Sequence, residues 1–200
     1  MAGPAYTRLD VDERRRRLLE LGAELFTEHA YDELSMARIA RAAGISKALL
    51  YHYFPSKEAY FVATLEEKAA ELAERTRPDP ARPPVEQLAA SLDAYLGWVE
   101  ENAGAYQKFL QSAGAVPQVR ALLKRVRDET ASRIIDGIRG ERPATPALRA
   151  AVHGWLWFMD GVCLDWVAHR DLPRARVHGL LLGTLLGAVT AAGEAGALAG

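Results

Sequence analysis

Between Ser35 and Tyr60 the sequence SMARIARAAGISKALLYHYFPSKEAY leaves the chain few ways to fold. Ile39 and Ala40 share the inward face of a short helix, and Gly44 follows Ala43 where the backbone must leave that helix through a positive φ that Gly reaches without a Cβ clash. Ser46 restarts the chain. Its hydroxyl can accept a bond from a free backbone N–H and cap a second helix through Leu49, Leu50, Tyr51 and Phe54, which Pro55 ends. Ser56 then opens a third helix. Two helices joined by a turn of a few residues is the helix-turn-helix plan, whose second helix enters a DNA major groove.

The charge distribution agrees. From Leu34 to Lys57 the basic residues Arg38, Arg41, Lys47 and Lys57 meet no Asp or Glu, whereas the whole chain carries 25 basic and 26 acidic residues and a net charge of -1. A chain so balanced is not a general polyanion binder, so contact with nucleic acid must come from one patch.

Ile39-Ala40, Ala43-Gly44-Ile45-Ser46, Leu50-Tyr51, Tyr53-Phe54 and Ser56-Lys57-Glu58, with Leu25-Phe26 and Tyr31 upstream, resemble the DNA-binding signature of the TetR family of one-component bacterial transcription regulators. The likeness covers roughly the first quarter of the chain, and its aromatic cluster followed by Ser-Lys-Glu is narrower than a Gly turn alone. Two positions depart from the pattern, because Ala30 and Ala48 stand where the family usually has Gly. Ala30 is expected to carry a little strain at the end of the first helix, and Ala48 adds a methyl where the recognition helix nears the DNA backbone. The resemblance implies an all-helical protein that binds a palindromic double-stranded DNA operator as a homodimer and is released by a small-molecule effector. Repression is the family's usual sign of action.

The remaining sequence is also helical, with no convincing strand alternation, so the expected fold class is all-α. Asp10 with Glu13 suggests a capping-box start to the first helix, whose one face carries Leu18, Gly22, Leu25, Phe26 and His29. The helix opened by Ser56 runs to about Thr76, and RPDPARPP breaks it. That break divides a DNA-binding domain, residues 1–77, from an effector-binding and dimerisation domain, residues 78–200. Further helices are expected near residues 85–101, 105–113, 118–139, 145–170 and 173–192. The polar stretch Met1 to Leu9 is no signal peptide, and a single Cys, Cys163, fits a reducing compartment; both point to the cytoplasm.

Val152 to Val167, VHGWLWFMDGVCLDWV, is apolar on nearly every face and must be covered on both sides. The last helix repeats Gly179, Gly183 and Gly187 every four residues beside leucines 180 to 182, 185 and 186, a smooth stripe that lets another helix come close. A membrane reading of the stripe fails, since Val177 to Gly193 contains His178 and falls short of the roughly 20 residues needed to span a bilayer. In the family the last two helices form a four-helix dimer bundle, a role these two suit.

The expected DNA contacts are Ser46, Lys47, Ala48, Leu49, Tyr51, His52, Tyr53 and Lys57. Ser46 and Lys47 lie where helix N–H groups attract phosphate, and Leu49 can press on a thymine methyl or shield the core. Tyr53 can equally pack the small core. The run Arg14 to Arg17, flanked by Asp12, Glu13 and Glu20, reads as a solvated face. For an apolar or aromatic effector the expected lining is Trp98, Tyr106, Phe109, Trp155, Phe158, Met159 and Asp160, each aromatic of which is, taken singly, as well explained by core packing. Asp160 and Asp165 stand in the most apolar helix and need an Arg, a backbone donor, a ligand group or a solvated edge. The five histidines and Cys163 show no metal-ligand or nucleophile–base spacing, so neither enzyme activity, nor a metal, nor a cofactor is expected. Two rival readings are an architectural DNA-binding protein without a ligand and a helical carrier with a vestigial DNA-binding domain.

Overall fold

The computed structural model of the chain describes residues 8–140, 142–194 and 196. Among them the regular structure is helical throughout: α1 (Arg8–Glu28), a 3-10 turn (Tyr31–Glu33), α2 (Met36–Ala42), α3 (Lys47–Tyr53), α4 (Lys57–Arg75), α5 (Pro84–Glu101), α6 (Ala103–Ala115), α7 (Pro117–Arg139), α8 (Pro146–His169) and α9 (Arg174–Ala191). Local chemistry sets the boundaries. Pro84, Pro117 and Pro146 open α5, α7 and α8, where a missing N–H costs nothing. Thr145 Oγ1 caps α8 by accepting from Leu148 N at 3.2 Å, and Ser56 Oγ does the same for α4 from Ala59 N at 3.0 Å. Helix α8 ends at Arg170 in the left-handed conformation, φ 53°. The expected capping pair at Asp10 and Glu13 does not form the helix start, because α1 already begins at Arg8; Glu13 instead bonds Arg16 and Arg17 along the helix surface.

The chain divides into two compact units between Ala70 and Glu71, within α4. In the first, Leu18, Phe26, Leu34, Ile39, Leu50, Phe54, Tyr60 and Phe61 make a small, aromatic-rich core. Phe26 and Phe61 lie 4.4 Å apart between ring centroids, and Phe54 meets Tyr60 edge-on at 4.8 Å. The Tyr60 hydroxyl donates to the Leu18 carbonyl, which draws α4 against α1. Gly22 makes that approach possible, since a Cβ there would stand 2.5 Å from Thr64 Oγ1 and 2.8 Å from the Tyr60 hydroxyl. Ala30 has φ −67° and ψ 151°, ordinary extended values, so the strain expected there is absent.

In the second unit α5, α7, α8 and α9 enclose one core that includes Leu96, Val99, Leu148, Val152, Leu156, Cys163, Leu181 and Leu185. Trp155 Nε1 donates to the Leu181 carbonyl at 2.9 Å, fixing α8 to α9. Among the described residues no helix is long and apolar enough to cross a membrane.

Candidate nucleic-acid interface and interior groove

Gly44, at φ 65°, turns the chain between α2 and α3, and Ser46 Oγ then accepts from Leu49 N at 3.1 Å to start α3. Leu50 and Phe54 are buried on the inward side of α3, which fixes what its other side offers. Lys47, Ala48, Tyr51 and His52 are exposed, Tyr51 at 43% of its surface. The Lys47 ammonium lies 5.7 Å from the Tyr51 ring, and the His52 ring meets Tyr53 edge-on at 5.8 Å. Leu49 and Tyr53 are half-buried at the flanks of this face. Arg38, on α2, is exposed and bonded to His29 at 2.9 Å, and Arg41 is exposed.

Lys57 has a different setting from the rest. Its ammonium donates to the Tyr31 carbonyl at 2.9 Å and sits 4.0 Å from the centre of the Tyr31 ring, so it ties the start of α4 to the 3-10 turn.

The second unit holds a groove of about 770 Å³ between α7 and α8, closed at one side by Leu110 of α6. Leu123, Leu156 and Leu164 supply apolar walls, and Trp157 stands at its edge with 65% of its surface exposed. Arg120, Lys124, Arg127 and Asp128 line it from α7, His153 and Asp160 from α8. The Asp160 carboxylate is buried and fully engaged. Arg127 donates to its Oδ2 through Nε at 2.9 Å and through Nη2, while the Tyr106 hydroxyl donates to Oδ1 at 3.1 Å. Tyr95 donates in turn to the Tyr106 oxygen at 3.0 Å. Burial raises the Asp160 carboxyl above the ordinary carboxylate range, against the lowering by Arg127 and Tyr106. Burial also holds both phenols well above theirs. The Cys163 thiol beneath this network is pushed up to about 12 for the same reason. On the groove side the Arg127 guanidinium stacks 3.8 Å from the centre of the Trp157 ring.

Of the residues expected to line an effector site, Asp160 is in this groove. Trp98, Tyr106, Trp155 and Met159 are buried in the core of the unit, Phe109 is half-buried and Phe158 is 41% exposed. Asp165, the second carboxylate of α8, stands at a solvated edge 3.3 Å from His169.

The outward side of α8 and α9 carries Gly154, Phe158, Gly179, Leu180, Gly183 and Gly187, all exposed, while the exposed Gly161 lines the groove. A Cβ added at any of these glycines would meet nothing within 4 Å. The stripe therefore faces outward and does not serve packing within the unit.

A family model described as "Bacterial regulatory proteins, tetR family" matches residues 18–64, and one described as "Tetracyclin repressor-like, C-terminal domain" matches residues 84–187. The chain belongs to the TetR family. The first matched segment contains α2 and α3 entire, and the second contains the groove and the glycine stripe. A crystal structure of a TetR-family transcriptional regulator from Streptomyces coelicolor is 28% identical, with a TM-score of 0.81 over 94% of this chain and 86% of that one. The transcriptional activator FasR of Mycolicibacterium smegmatis is 32% identical over 58% of this chain and 55% of FasR. The transcriptional repressor AcnR of Corynebacterium diphtheriae is 32% identical over 36% of this chain and 37% of AcnR. The match thus spans about half or less of these two curated relatives. As a TetR-family member the chain is a DNA-binding transcriptional regulator.

Sequence reasoning passed over the rest of the groove lining, Arg127 and Trp157 included. The signal was faint: Arg120, Lys124 and Arg127 recur at helical spacing along one face of α7, a pattern that solvated helices share.

Proposed function

We propose that this TetR-family regulator acts in the cytoplasm as a homodimeric repressor, binds a palindromic operator through α3, and lets go when a small molecule occupies the α7–α8 groove. The observation that carries the reading is the outward side of α8 and α9, where glycines, Phe158 and Leu180 stand exposed opposite the faces that these helices bury in the core. Such a surface is stable in water when a second copy covers it. Two copies present two α3 helices, and a two-fold protein calls for a two-fold site with half-sites about one DNA turn apart. On each half-site Lys47 and the Ser46 hydroxyl reach phosphate, Tyr51 and His52 reach phosphate or base edges, and Ala48 and Leu49 offer apolar contact to a thymine methyl. Tyr53 supports His52, and Lys57 positions the start of α4 through Tyr31. Effector binding favours a dimer in which the two α3 helices no longer span both half-sites.

Capturing genomic fragments on the purified protein tests this directly. The expected product is a short set of fragments sharing an inverted repeat, bound more tightly than scrambled DNA at physiological salt. Binding that ignores sequence and vanishes with salt points instead to an architectural protein, and a chain monomeric at micromolar concentration removes the two-half-site scheme.

A further inference from the structure

The groove's own charges say what kind of molecule it takes. Its two acids are already engaged: Asp160 accepts from Arg127 and Tyr106, and Asp128 accepts from Lys124. A cationic ligand would have to compete with the cations already on those carboxylates. The bases keep donors to spare, because Arg127 has more N–H groups than one carboxylate oxygen takes up, and Lys124, on the same helix, has three N–H donors of which Asp128 takes one. Arg127 is also held still, fixed from behind by Asp160 and flanked by the Trp157 ring. A guanidinium fixed in this way loses little freedom when it meets a second anion. Leucines of three helices supply an apolar wall beside it.

We infer that the α7–α8 groove binds a small amphipathic acid, its anionic head on Arg127 and Lys124 and its apolar body along the leucines under Trp157. This deepens, and rests on, the reading of the groove as the effector site. A volume of about 770 Å³ suits such a molecule, within the several-hundred-Å³ range of ligand sites. The exposed Trp157 ring forms the groove's edge, with one face toward Arg127.

The test is calorimetric titration of the full-length protein with three probes of equal chain length: octanoate, octanol and octylammonium. Octanoate is expected to bind about tenfold or more tighter than octanol, as one charge-assisted contact provides, with octylammonium weakest. Arg127→Lys keeps the charge but loses the fork, and should cut octanoate binding severalfold while leaving octanol unchanged. Lys124→Ala, at an exposed position, should weaken octanoate alone and guards against a folding defect at Arg127. Trp157→Ala should weaken octanoate and octanol alike. Octanol or octylammonium binding as tightly as octanoate overturns the assignment, as does octanoate binding indifferent to both α7 substitutions. A gel shift on captured genomic DNA separates this from the regulatory reading: octanoate that binds the groove without changing DNA affinity upholds the anion site and overturns its role as effector site. Failure to select any DNA fragment overturns the operator scheme and leaves the octanoate result standing.

Discussion

The outward side of α3 and the outward side of α8–α9 are both solvent-facing, yet they are built from opposite materials. Helix α3 shows water Lys47, Tyr51 and His52, whereas α8 and α9 show it Phe158, Leu180 and a line of glycines. Each face lies opposite a buried one, so neither is needed to hold its own unit together. The difference lies in the partner each suits: a charged, hydrated polymer for the first, a dry surface of like shape for the second. Stability and function should therefore separate by helix face within a single element.

The hardest test of that separation is in α8, where Trp155 and Trp157 stand two residues apart on opposite sides. Trp155→Ala should cost about 3–5 kcal/mol in urea unfolding, because it empties a core site and frees the Leu181 carbonyl, while Trp157→Ala should cost under about 1 kcal/mol. Similar losses from both would end the division into faces. Next, Gly183→Leu should weaken association by about 1–3 kcal/mol, giving monomer in sedimentation where the parent is dimeric, with the thermal midpoint of the monomer little changed. A loss of secondary structure in that variant would mean the stripe serves the unit's own packing. In α3, Tyr51→Ala should lower affinity for captured DNA about tenfold, roughly 1.4 kcal/mol, with unfolding unchanged. Lys57→Met sharpens the contrast: it should show first as reduced stability of the first unit, through the lost bond to the Tyr31 carbonyl.

The last effect concerns the interior. Because the folded Cys163 thiol holds its proton up to about 12 against an ordinary value of 9.0, the native state binds a proton that the unfolded chain has lost. Its contribution to stability is complete below pH 9.0 and declines as pH rises from there toward about 12. Urea midpoints of the parent and Cys163→Ala should thus converge or cross between pH 8 and roughly 10.5, and a pH-independent difference would refute it.

Much of the architecture was legible because it rests on local rules. The Gly44 turn, the Ser46 cap and the Pro55 stop each depend on one residue and its immediate backbone, so α2 and α3 could be read directly. The Pro residues at helix starts are of the same kind. The doubled apolar character of α8 foretold a helix with a second, outward apolar side, and its two carboxylates found two of the fates open to them: Arg127 for Asp160, a solvated edge for Asp165. The groove was not legible, since Arg127 and Asp160 are 33 residues apart and no periodicity links α7 to α8. The aromatic residues were ambiguous for a related reason: large rings serve a core and a ligand equally well, and the sequence carries nothing that tells the two apart. Ala30 shows the reverse error, where a family habit suggested strain at a position whose backbone is ordinary.

The bond from Tyr95 to Tyr106, continued to Asp160 and Arg127, means that Arg127, the group proposed to meet the ligand, is propped from a helix that does not line the groove. Under the proposed function, a geneticist selecting variants that no longer answer to an inducer would recover changes in α5, at Tyr95, alongside those at the groove. Scored by position alone, such variants would look like long-range mutants. Restoring the phenol's shape without its hydroxyl, as Tyr95→Phe does, would tell a loosened prop from a displaced helix.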